Sequence, residues 1–198
     1  MAPTLGGSTT GVGQIRSIPT GGLQIGEARW MPDGREVLVV GRSAGEDHFR
    51  LRRLIGDASL AGAIGEATLR DDSPLRISRD GRWAAALDEE SRLLIMSIRG
   101  GSTRSVPITG AGTVVPWGWG PDGSLWVSSH DRAPTARARL LRLDAETGKV
   151  LQERMIRPDD PGGSSVLTDV VLSPDGRQVA FSYVRRVVSL AILRGLER

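Results

Sequence analysis

The sequence predicts an all-β fold, a β-propeller of about four blades, each blade a four-stranded antiparallel sheet. Three observations carry this expectation. A hairpin pattern recurs four times, and its copies fall at the spacing of propeller blades. Turn formers are abundant, with 26 glycines and 11 prolines among 198 residues. No sustained run shows the 3.6-residue period of an amphipathic helix.

The four copies are Ala28-Arg-Trp-Met-Pro-Asp-Gly-Arg35, Leu75-Arg-Ile-Ser-Arg-Asp-Gly-Arg82, Trp117-Gly-Trp-Gly-Pro-Asp-Gly-Ser124 and Val170-Val-Leu-Ser-Pro-Asp-Gly-Arg177. Their turn glycines, Gly34, Gly81, Gly123 and Gly176, lie 47, 42 and 53 residues apart by subtraction. A propeller blade takes about 40–50 residues. Two residues before the proline stand Trp30, Ile77, Trp119 and Leu172; in the second copy Arg79 takes the proline's place. Two residues further back stand Ala28, Leu75, Trp117 and Val170. A period of two marks one face of a strand. Asp-Gly pairs at 33–34, 80–81, 122–123 and 175–176 then reverse the chain, because glycine tolerates positive φ. A second alternating run follows each turn: Val37/Val39, Ala84/Ala86, Leu125/Val127 and Val179/Phe181. The third copy fits this register only when one residue is dropped after Gly123.

Further strands complete each period. Residues 49–54 and 63–69 follow the first hairpin, and 93–98 and 102–108 the second. Residues 138–143 and 150–155 follow the third, separated by the turn Asp144-Ala-Glu-Thr-Gly148, and 186–193 follow the fourth. Three periods thus hold about four strands and the last holds three. Residues 1–13 are expected to be a flexible N-terminal segment and 14–198 the repeat domain. Within it, 14–19 is a lone strand candidate. Either it pairs with 186–193 and closes a four-bladed ring, or the chain is the C-terminal part of a larger propeller. The second is preferred, because four blades is the low end of the usual four to eight. An incomplete ring would leave apolar blade faces uncovered and favour self-association.

Composition excludes several classes. Apolar residues make up 39% and charged residues 25%, which argues against global disorder. The net charge is +3. Lys149 is the only lysine, so the basicity is almost wholly arginine, as codon bias in a GC-rich genome would produce. The arginines are scattered among acids rather than gathered in a stripe, and five tryptophans, two phenylalanines and one tyrosine make no stacking platform. A nucleic-acid partner is therefore not expected. Without cysteine there is neither a disulfide nor a thiolate metal site. The start, Met-Ala-Pro-Thr-Leu-Gly-Gly-Ser, lacks the basic and apolar regions of a signal peptide, and no run approaches about 18 apolar residues. The compartment stays open, with the cytoplasm as the default.

Each motif that suggests chemistry has a simpler account. Gly118-Trp-Gly120-Pro-Asp-Gly123 matches a dinucleotide fingerprint, but a strand rather than a helix should follow it. Ser129-His130-Asp131 offers triad residue types as chain neighbours, whose side chains diverge; a surface loop after Val127 is expected there. His48 falls in a hairpin loop. With two histidines in the chain, a histidine-rich metal site is not expected. Asp71-Asp72 and Asp159-Asp160 fit no calcium loop and read as solvated turns. Arg137, Arg139 and Arg142 read as a solvated rim, with Arg139 and Arg142 on opposite strand faces. Trp30, Trp83, Trp117, Trp119 and Trp126 are expected mostly between blades, Trp83 less clearly because its register mates are Glu36 and Gln178. No catalytic residue, metal ligand or cofactor is assigned, and the binding residues are unknown.

The Ser-Pro-Asp-Gly-Arg hairpins resemble the repeats of TolB-like, WD-repeat-related propellers. Residues 119–127, 138–148 and 171–183, with Gly195-Leu196, are similar to the C-terminal propellers of bacterial eukaryotic-like serine/threonine kinases. The likeness spans about residues 15–198. It implies a non-catalytic scaffold that binds a protein or small ligand on a propeller face, as the sensor or interaction part of a signalling protein. The kinase motifs themselves are absent from the sequence. The alternatives are a propeller gating a separate hydrolase of prolyl oligopeptidase type, or a TolB-like envelope component.

Overall fold

The computed structural model describes residues 18, 20–55, 60–100, 102–108, 112–130, 137–160, 164–173 and 175–186. They form strands and no helix. The strands are β1 (Gln24–Trp30), β2 (Glu36–Arg42), β3 (Arg50–Ile55), β4 (Leu60–Ala63), β5 (Arg76–Ile77), β6 (Trp83–Leu87), β7 (Leu93–Ser97) and β8 (Thr103–Ser105). The chain continues through β9 (Thr113–Trp119), β10 (Leu125–His130), β11 (Ala138–Leu143), β12 (Val150–Ile156), β13 (Ser164–Leu172) and β14 (Val179–Arg185). Three four-stranded sheets run in chain order, β1 to β4, β5 to β8 and β9 to β12, and β13 pairs with β14. Each four-stranded sheet is an antiparallel meander, the unit of a propeller blade, and β13–β14 is the hairpin that begins a fourth.

The repeated motif builds the first hairpin of every sheet. Gly34, Gly81, Gly123 and Gly176 all have φ between 67° and 79°, the left-handed conformation that an Asp-Gly turn requires. In the second copy the Ser78 hydroxyl donates to Asp80 Oδ1 at 2.6 Å and accepts from the Trp83 amide at 2.9 Å. Ser173 does the same with Asp175 at 2.5 Å and the Gln178 amide at 2.9 Å. The serine therefore closes the turn from inside. The third turn is one residue shorter. Its closing bond runs from the Gly120 amide to the Ser124 carbonyl, whereas the others span Met31 to Glu36, Ser78 to Trp83 and Ser173 to Gln178. Ser124 compensates by donating its hydroxyl to Asp122 at 2.7 Å.

Apolar side chains alternate to both faces of each sheet and pack three inter-sheet cores. Leu38, Val40, Leu51, Leu75, Ala84 and Met96 join the first two sheets. Ala85, Ile95, Trp119, Leu125, Val127 and Leu141 join the second and third. Trp126, Leu140, Ile156, Leu167 and Val170 join the third to the fourth hairpin. Burying such a side chain contributes about 1.5–3 kcal/mol. Polar ties cross the same seams. Arg53 donates to the Ile98 carbonyl at 3.0 Å, and Arg104 to the Ala145 carbonyl at 2.9 Å while lying 5.2 Å over the Trp83 ring. At the first seam the Asp71 carbonyl oxygen sits 1.7 Å from where a Gly26 Cβ would be, so only glycine fits there.

Three expectations change. Trp30 does not pack between blades: it is 61% exposed. It pairs with Val37, and that face of the first sheet is turned away from the second, where a small cluster of Leu23, Val37, Val39 and Leu54 lies. The fourth strand of the first sheet is Leu60–Ala63, not 63–69, because Gly65 adopts φ 71° and bends the chain. Leu69 keeps only isolated bridges, to Phe49 and Asp88. No loop follows Val127: β10 continues through His130, held by Val114 and Thr113 on one side and Arg139 on the other. The closing pair proposed for 14–19 and 186–193 falls outside the described residues except Ile18 and Arg186, as do residues 1–13.

Candidate functional site

Among the described residues, cavities open along the edge that carries the Asp-Gly turns. One of about 470 Å³ lies between the first two turns, with Pro32, Asp33, Asp80 and Gly81 in its wall. Another of about 420 Å³ lies between the second and third, with Asp80, Trp83, Arg104, Asp122 and Asp144. A third of about 300 Å³ lies between the third and fourth, with Asp122, Arg142, Asp175 and Arg177. The fourth, about 370 Å³, is axial, because the first strands of all four sheets contribute: Arg29, Arg76, Gly118 and Val171. Arg79 lines the axial cavity and the two neighbouring clefts.

The axial residues share one register. Arg29, Arg76, Gly118 and Val171 each stand five residues before their turn glycine, and Glu27 and Asp169 stand seven before theirs. Arg29 pairs with Leu38 and Glu27 with Val40, which face the second sheet, so this register looks toward the following blade. Arg76 Nε donates to the Trp117 carbonyl at 2.9 Å, and its guanidinium lies 5.8 Å from the Trp117 ring. Glu27 serves two cations, Arg29 at 2.5 Å and Arg76 at 3.7 Å. Burial holds the Arg76 guanidinium below its ordinary value, and the Arg29 charge adds to this; Glu27 and Asp169 oppose it.

Three of the turn acids, Asp80, Asp122 and Asp175, are held below their ordinary value. The Ser124 hydroxyl and then the Arg142 guanidinium hold Asp122 at about 2. Asp80 and Asp175 are lowered chiefly by Ser78 and Ser173, and the Arg79 charge also lowers Asp175. Arg79 thus acts electrostatically on the fourth turn from the second.

The residues weighed from the sequence do not converge on one site. Ser129 is buried on β10, while the His130 side chain and Asp131 lie outside the described residues. His48 Nδ1 meets Glu89 Oε1 at 2.7 Å across the first seam. Arg139 pairs with Glu153 at 2.7 Å, and Arg142 with Asp122. Asp72 pairs with Arg70 and Asp160 with Arg185, both at exposed positions. Gly118–Gly123 is the end of β9 and its turn, with a strand after it. Among the described residues no group of three His, Cys, Asp or Glu side chains is placed to hold a metal ion. Sequence reasoning missed Arg29, Arg76 and Asp169. The signal was available, since the positions five and seven before each turn glycine are the unclaimed alternate set of the first strand.

Repeated meanders joined face to face around a shared axial wall define a β-propeller. Residues 50–195 match the lipoprotein LpqB beta-propeller domain, and the chain belongs to that family. Among solved structures it resembles a putative TolB from Agrobacterium tumefaciens, at 25% identity and a TM-score of 0.56, over 80% of this chain and 53% of that one. TolB from Acinetobacter baumannii matches at 16% identity and a TM-score of 0.55, over 80% of this chain and 37% of that one. A chain of a nidogen/laminin complex matches at 12% identity and a TM-score of 0.56, over 79% and 55%. The chain therefore spans about half of the first and just over a third of the second. A search of curated proteins finds no match.

Proposed function

We propose that the chain is a non-catalytic recognition module that binds a protein or small ligand across its turn-bearing end, as the interaction part of a bacterial signalling or envelope protein. The observation that carries this reading is the convergence of three cavities on Arg79, the one position where the repeat departs from proline. A turn needs no guanidinium there, and the other copies use Pro32, Pro121 and Pro174. Ligand sites in such folds are concave, with a few polar groups set in apolar walls.

The signalling setting rests on the hairpin resemblance to kinase-associated propellers. Membership of a lipoprotein propeller family favours an envelope setting. No helix of the described residues is long and apolar enough to cross a membrane.

The test is photocrosslinking in cells of the source organism, with benzoylphenylalanine at exposed Arg35 on the turn edge or exposed Asp47 in the β2–β3 loop at the opposite edge. A discrete adduct from position 35 and none from 47 is the expected result. Equal labelling from both, or none from either, overturns the assignment of the face.

A further inference from the structure

We propose that the chain associates head to tail with a second copy of itself, Trp30 of one copy seating on Val171 and Ala180 of the next. This goes beyond the recognition reading and is independent of it.

The repeat itself indicates what belongs over Trp30. Its equivalents are Ile77, Trp119 and Leu172, and each packs back onto the sheet before it. Among the described residues no sheet precedes the first, and Trp30 is left exposed beside exposed Ala28. Elsewhere this face is closed, because Leu23 gathers with Val37, Val39 and Leu54. The open part is therefore the end of β1 that runs into the turn.

The fourth hairpin presents the matching face. Leu38, Ala85 and Trp126 each partner the residue five before a turn glycine, and each packs forward onto the next sheet. Their equivalent, Ala180, partners Val171, and both are exposed, Val171 at 63%. Val184 extends the same exposed face. β13 also repeats the bulge of β1. The register shifts between Ile25 and Glu27 in one and between Leu167 and Asp169 in the other, equivalent places relative to Gly34 and Gly176. The fourth hairpin is thus built like the first, whose forward face does carry a neighbouring sheet.

Charge points to the same partner. At the first seam Glu27 meets Arg76 of the next sheet at 3.7 Å. The equivalents of these two residues at the open ends are Asp169 and Arg29, both exposed. Head-to-tail packing brings Asp169 of one copy toward Arg29 of the next, so the seam between copies repeats the seam within one. Two different faces that fit each other make a heterologous contact. A tryptophan that becomes buried is a common anchor of such contacts. This chain carries both halves in register, which an unrelated partner has no reason to do.

The test is sedimentation velocity of the whole chain over a wide range of concentration, with Trp30→Glu and Val171→Glu as variants. Circular dichroism and urea midpoints in dilute solution, where copies are apart, check that both variants fold as the parent does. Trp30→Ala and Val171→Ser are the milder pair if a glutamate disturbs the sheet. The parent is expected to form dimers or longer species as concentration rises. Each variant alone should associate about ten-fold more weakly or worse. An equimolar mixture of the two should recover one-to-one pairs that grow no longer, because each supplies the intact end that the other lacks. A parent that stays monomeric, or a mixture no better than the variants apart, overturns the proposal. Association lost in one variant and kept in the other marks a face that pairs with itself, and overturns it too. A monomeric parent that still gives the adduct from position 35 would sink this inference and leave the recognition reading standing.

Discussion

The Trp119 indole N–H donates to the Arg76 carbonyl oxygen at 2.9 Å, a bond between the first strands of the second and third sheets. Arg76 answers by donating its Nε to the Trp117 carbonyl. The two residues thus stitch adjacent blades in both directions. Trp119 belongs to the second inter-sheet core, so packing and hydrogen bonding act at one position. Trp119→Ala should cost about 3–5 kcal/mol as a large-to-small core change. Trp119→Phe keeps most of the packing, loses the bond and strands the Arg76 carbonyl; it should cost about 1–3 kcal/mol. Trp30→Ala, at an exposed site, should stay within about 0.5 kcal/mol. Urea midpoints of the three variants check the order; equal losses at Trp30 and Trp119 would contradict the assignment of faces.

Acid should loosen the turns in a defined window. Asp122 is held at about 2, below its ordinary 3.8, first by the Ser124 hydroxyl. A carboxyl whose folded value is depressed contributes stability above its unfolded value and loses it as pH falls through the folded one. Asp80 and Asp175 are lowered too and act in the same direction. The melting temperature should therefore fall between about pH 4 and pH 2. Asp122→Asn should melt lower than the parent at neutral pH and lose less across that window; an identical acid profile would refute the role given to Asp122.

Arg79→Pro should not harm the fold. Proline fixes φ at the first position of a turn, and its equivalents Pro32 and Pro121 precede the same Asp-Gly pair. Restricting the unfolded chain should raise stability by about 0.4–1 kcal/mol. Thermal melts check this, and a clear drop would show that Arg79 supports the turn rather than the cavity.

The purified chain should turn over no kinase, esterase or peptidase substrate above blank. Ser129 is buried within β10, and Asp122, which lines two of the turn-edge cavities, is already paired with Arg142 and Ser124. A rate abolished by His130→Ala would overturn the non-catalytic reading.

The hairpins were legible because each turn announces itself: Pro-Asp-Gly or Arg-Asp-Gly fixes the reversal, and alternation on either side fixes the faces. Even the short third turn was visible as the residue missing after Gly123. Trp30 was misplaced because alternation tells which face a side chain takes, not whether a neighbouring sheet covers that face. Ser128 and Ser129 resembled loop residues, yet Ser128 is buried because the Trp117 indole donates to its hydroxyl at 2.8 Å. The axial wall was the least legible part. Arg29, Arg76 and Asp169 come from three separate repeats, and only the curvature of the whole array brings them to one cavity.

Gly26 carries a consequence for the angle between blades. With the Asp71 carbonyl filling the volume of a side chain, the first two sheets meet at a point that has no slack. Blade number in any ring is a full turn divided by the angular step between neighbours. A single methyl at this position would wedge the step wider, and the error would be repeated in the placement of every blade beyond it.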